Sequence, residues 1–160
     1  MNVLKNKNIL LCVTGSIAAY KACEILRLLR KDGANVQVMM SKSAEEFIGV
    51  ATFAALSNNE VLTNLFPDNP KGGMDHVNLS FELDAIIVAP ATANILCKAA
   101  TGVADEIVST MLSIASVPIL FAPAEIISKQ SLSVEIPPEA LICRSPETDL
   151  ILFMSFIVAP

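Results

Sequence analysis

The stretch VTGSIAAYKACEI, residues 13–25, decides how this chain reads. The run NILLCV before its first glycine is continuously apolar, as a strand buried on both faces requires. After the turn, Ala18, Ala22, Ile25, Leu26 and Leu29 recur at helical spacing, while Lys21, Glu24, Arg27 and Lys31 mark a wet face. The pattern predicts a helix from Ser16 to Asp32, closed by Gly33. At Gly15 a missing Cβ lets backbone approach a ligand, and Ser16 with the following amides opens a helix whose positive end favours phosphate. A plain strand-to-helix turn looks the same, and this stretch alone does not separate the two. It lacks the full glycine fingerprint of a dinucleotide site, so a mononucleotide fits better.

The alternation of periods continues outward. ANVQVMM (34–40) alternates as a second strand, and SAEEFIGVATFAALS (43–57) reads as a helix with Ser43 as N-cap and Glu45 and Glu46 in its first turn. NNEVLTNLF (58–66) is a short strand or an irregular piece, PDNPKGGMD (67–75) a loop, and HVNLSFELD (76–84) a short helix. AIIVAPAT (85–92) is another buried strand, a helical region interrupted by Gly102 spans 93–115, and VPILFAPA (117–124) is the last strand. Strands alternating with helices imply a single α/β domain: an open, doubly wound, mostly parallel sheet with helices on both faces. Ligands bind such sheets beyond the carboxyl ends of the strands, so the informative places are Thr14 to Ile17, Ser41 to Ala44, Ala89 to Asn94 and Ala122 onward.

Bulk properties narrow the class. The 160 residues are 53% hydrophobic and 17% charged, which excludes a disordered chain. A mean hydropathy of +0.58 points to buried subunit contacts. A net charge of −5 argues against nucleic acid or an anionic membrane as partner. An anionic ligand must then be held locally, by backbone amides. No apolar run reaches the ~20 residues of a membrane span, and the N-terminal run ends in a turn glycine without a cleavage site. Cys12, Cys23, Cys97 and Cys143 show no metal-ligand spacing and read as reduced thiols of a cytoplasmic core.

Three further features carry chemistry. Ser41 and Ser43 bring hydroxyls to the end of the second strand, where they serve equally as caps. In APATAN (89–94), Thr92 and Asn94 put a hydroxyl and an amide where a planar ring's polar rim needs partners; an ordinary N-cap explains the same pattern. His76, the sole histidine, is either a packed or surface residue or an acid or base beside a cofactor.

Together, VTGSIAAYKACEILRLL, MDHVNL, VAPATANILCKAATGVADEIVST and FAPA resemble, in order and spacing, the flavoprotein family of cysteine decarboxylases. That family includes the phosphopantothenoylcysteine decarboxylases, found also as the N-terminal domain of the bacterial bifunctional coenzyme A biosynthesis protein, and the lantibiotic-processing decarboxylases. The resemblance spans about residues 6–124 and implies a Rossmann- or flavodoxin-like sheet, FMN as cofactor, and a homotrimer or dodecamer. By this resemblance the flavin contacts are Gly15, Ser16, Ile17, Ser41, Ser43, Pro90, Ala91, Thr92, Ala93, Asn94, Ser109, Thr110 and Ala124, and the catalytic histidine is His76. The implied reaction is decarboxylation of 4′-phosphopantothenoylcysteine, a small-molecule thiol, to 4′-phosphopantetheine. Oxidising the thiol, with hydride passing to the flavin, creates the electron sink that lets CO2 leave.

The pattern breaks after residue 124. The family continues with Met-Asn, whose asparagine binds the substrate carboxylate; here Glu125 and Ile126 follow, and Cys143 comes too early for the family's lid cysteine. The expectation is a flavoprotein domain over 1–124 and a divergent tail over 125–160, truncated or frame-altered, in place of the last helix, strand and lid. An inactive FMN-binding or regulatory module is the alternative.

Overall fold

The computed structural model describes residues 4–66 and 75–123, with the side chains of Asp75 and His76 excepted. Four strands, β1 (Asn8–Val13), β2 (Asn35–Met40), β3 (Ala85–Ala91) and β4 (Ile119–Pro123), form one sheet in the order β2-β1-β3-β4. All three neighbouring pairs are parallel. Around it lie α1 (Ala19–Lys31), α2 (Lys42–Glu45), α3 (Val50–Ser57), α4 (Asp75–Glu82), α5 (Ala93–Thr101) and α6 (Ile107–Ile114). No helix among the described residues is long and apolar enough to cross a membrane.

The apolar run of β1 is continuous because both of its faces are covered. Ile9, Leu11 and Val13 join a core with Ala22, Leu26 and Leu29 of α1 and Phe53 of α3. Leu10 and Cys12 point the other way, into a core with Ile95 of α5 and Val108, Met111 and Leu112 of α6. The strand period of two thus feeds two cores from one segment. Each fully buried leucine here contributes about 2–5 kcal/mol against truncation to alanine.

The strand order sets where such a sheet takes a ligand. From β1 the chain crosses to β2 on one side, then returns to β3 on the other, so β1 and β3 are the pair where the order reverses. Connections leaving on opposite faces open a gap above the carboxyl ends of these strands. At the opposite, amino edge, Asp84 fastens the same pair. Its carboxylate accepts from Lys7 Nζ at 2.7 Å and from Asn8 N at 2.8 Å.

Local readings differ from the structure in three places. The first helix begins at Ala19 rather than Ser16, because residues 16–19 close a turn with Ala19 N donating to Ser16 O at 2.9 Å. The segment 43–57 is two helices, broken before Gly49. Ser41, not Ser43, occupies the cap of the first, and Glu46 lies at its C-cap rather than in its first turn. Residues 58–66 take the irregular of the two expected forms, apart from Leu62, which bridges Met39. Cys97 is exposed on α5, so it is not a core thiol; Cys12 is buried and Cys23 partly so. Burial pushes the Cys12 thiol far up, which keeps it uncharged. Cys143 lies outside the described residues.

Candidate functional site at the strand switch

Three segments meet above β1 and β3. The first is the turn after β1, residues 14–18. Ser16 Oγ accepts from Ala18 N at 3.3 Å, which leaves its hydroxyl proton for another acceptor. The amides of Gly15, Ser16 and Ile17 have no hydrogen-bond acceptor among the described residues. Three successive free donors at the edge of a parallel sheet suit an anion with several oxygens. Ile17, 75% exposed, stands over this turn.

The second segment is the turn after β2. Ser41 is buried, its amide donates to Val13 O at 3.0 Å, and its hydroxyl lies 3.1 Å from Ser43 Oγ. A Cβ added to Gly15 would stand 2.5 Å from Ser43 Oγ, so only glycine lets the first two turns touch.

The third segment leaves β3. Pairing of β3 with β4 slips between Val88 and Ala91, at Pro90, which has no N–H to give to a ladder. The Ala89–Pro90 bond is cis. Thr14 Oγ1 donates to Pro90 O and lies 3.3 Å from Thr92 Oγ1. Thr92 caps α5, accepting from Ile95 N at 3.4 Å, so the cap reading of this threonine holds. Ala93 and Asn94 are exposed on the first turn of α5, while Pro90 and Ala91 are buried beneath. Thr14 is thus a joint of the site that the sequence pattern marks only as a strand end. A hydroxyl at the last position before a turn glycine is the feature that could have pointed to it.

Ser109 and Thr110 lie in the first turn of α6. The Ser109 hydroxyl, buried, accepts from Glu106 N at 3.2 Å, and Thr110 Oγ1 donates to Ala104 O at 3.3 Å. Both hydroxyls therefore face the loop before α6. His76 falls in the first turn of α4, with its side chain outside the described residues, and Ala124 lies outside them altogether. No cluster of metal-ligating side chains occurs among the described residues.

The residues present fit a phosphorylated, planar ligand. Amides with no acceptor among the described residues and a donor hydroxyl gather in the β1 turn, with Thr92 Oγ1 3.3 Å from Thr14 Oγ1 and Asn94 exposed on the first turn of α5.

The family model described as Flavoprotein matches residues 2–130. The coenzyme A biosynthesis bifunctional protein CoaBC of Bacillus subtilis (strain 168) is 46% identical over 122 residues, 76% of this chain and 30% of that protein. The chain thus spans under a third of the length of the curated relatives it matches. Among solved structures, the FMN-dependent cysteine decarboxylase SpaF superposes with a TM-score of 0.70 at 29% identity, covering 76% of this chain and 70% of that one. The FMN-dependent cysteine decarboxylase TvaF from thioviridamide biosynthesis gives 0.67 at 31% identity, with 73% and 72% covered.

Proposed function

The chain belongs to the flavoprotein family, and from that premise we propose that it binds FMN at the strand switch and decarboxylates 4′-phosphopantothenoylcysteine in coenzyme A biosynthesis. The observation that carries this reading is the convergence of the Gly15–Ile17 amides with Ser43 and Thr92 at the β1/β3 edge. The curated relatives named for coenzyme A biosynthesis and the decarboxylases of similar fold support it.

Each group has a task on this reading. The amides of Gly15, Ser16 and Ile17, with the Ser41 and Ser43 hydroxyls, hold the phosphate. Residues Pro90 to Asn94 border the ring, and Ser109, Thr110 and Ala124 complete the contacts. The carboxylate of the substrate has no electron sink of its own; FMN held here would supply redox chemistry that creates one, taking hydride from the thiol-bearing carbon and returning it once CO2 has left, so that the overall conversion is redox-neutral. His76 orients the substrate and manages a proton. Residues 1–124 form the flavin domain and 125–160 a divergent tail, with the family match running on to residue 130. The working form is a cytoplasmic homotrimer or dodecamer.

The test is CO2 release from 4′-phosphopantothenoylcysteine by the purified, FMN-loaded chain. Release that disappears in His76→Asn supports the reading. A yellow protein that releases none overturns the enzymatic half and leaves an inactive flavin-binding module.

A further inference from the structure

Lys98 lies on α5, and its contacts converge on the start of α6. Its ammonium is 2.8 Å from Asp105 Oδ1 and 3.2 Å from Glu106 Oε1, on a side chain only 18% exposed. Both carboxylates continue the chain of contacts into α6. Ser109 Oγ lies 3.3 Å from Asp105 Oδ1 and accepts from Glu106 N, and the Glu106 side chain accepts from the Ser109 amide in a reciprocal cap. Thr110 N donates to Glu106 O at 2.9 Å. The intervening residues Gly102, Val103, Ala104 and Asp105 are exposed, with Gly102 in the left-handed region at φ 73°, so no apolar packing fixes this connection.

Part-exposed ion pairs contribute little to global stability. This one instead decides local order, because segments held by few buried contacts open first. It also offsets one of the two adjacent negative charges of Asp105 and Glu106.

We propose that Lys98 is a positioning residue: it ties the end of α5 to the first turn of α6 and so sets Ser109 and Thr110 for the flavin. This rests on the flavin reading above.

The test uses the full chain as Lys98→Met, with Lys98→Arg as the conservative variant and Lys98→Gln should the methionine fail to fold. Three quantities are measured: FMN affinity by fluorescence quenching, visible circular dichroism at saturating FMN, and amide hydrogen exchange over residues 105–110 without flavin. Removal of the charge should weaken FMN binding by roughly tenfold, as loss of partners that orient metal ligands does. It should also change the visible dichroism and speed exchange, with an unchanged apoprotein Tm; arginine should restore all three. Unaltered affinity and dichroism in Lys98→Met, with the wild type binding FMN, overturn the inference alone. Unaltered exchange does the same. A wild type that binds no FMN overturns the flavin reading and this inference with it.

Discussion

Gly15 and Ser43, from the turns after β1 and β2, approach so closely that a Cβ at position 15 would lie 2.5 Å from Ser43 Oγ and 2.9 Å from its carbonyl carbon. Turning the Ser43 side chain would relieve the first contact but not the second. Gly15→Ala should therefore cost about 1–3 kcal/mol in urea unfolding, the usual range for overpacking. Adding Ser43→Gly should recover part of that loss and no more. An alanine variant as stable as the wild type would show that the two turns are not packed this way.

Thr14 joins β1 to the segment leaving β3. It is 2% exposed, and its hydroxyl donates to Pro90 O. Thr14→Val keeps the shape and removes the donor, leaving a buried carbonyl short of a partner at about 1–3 kcal/mol. Thr14→Ser should behave nearly as wild type. Equal stability of valine and threonine in a denaturant titration would remove Thr14 from the site's framework.

Asp84 gives a pH dependence with a defined sign. Its hydrogen bond from Lys7, then that from the Asn8 amide, holds its carboxyl below the usual range. The unfolded chain takes up the proton first as pH falls. The contribution to stability is thus full above the ordinary carboxylate pKa, about 4, and is lost as pH drops through the lower folded value. Asp84→Asn should flatten the acid limb of the Tm–pH curve. Near neutrality the change should be small, because the pair is part-exposed and screened. An acid limb identical in the two proteins would contradict the assignment.

The wound fold was legible because β1 is apolar on both faces and α1 has one apolar stripe; these periods report burial directly. The interruption at Gly102 was legible for a similar reason, since a left-handed helix end favours glycine. The break in 43–57 was not, because Phe47 and Ile48 continue the apolar pattern across a turn that contacts, rather than composition, decide. At the site, the resemblance picked out segments at the carboxyl edge. It gave no hint of the Thr14–Pro90 bond or the Lys98 contacts, which join residues far apart in sequence or hidden in an ordinary charged helix face.

On the proposed reading, His76 separates binding from turnover. His76→Asn should retain FMN, since the phosphate-holding amides are elsewhere, while CO2 release from 4′-phosphopantothenoylcysteine falls to background. Full turnover by the asparagine variant in a CO2-trapping assay would move the proton-handling role to another group.

The central claim is that the rim above β1 and β3 grips FMN, and an absorbance scan of the purified chain titrated with FMN tests it most directly. The account predicts a bound flavin spectrum, stoichiometric uptake and a raised Tm. A protein that stays colourless after refolding with excess FMN and dialysis, with no gain in Tm, would contradict it.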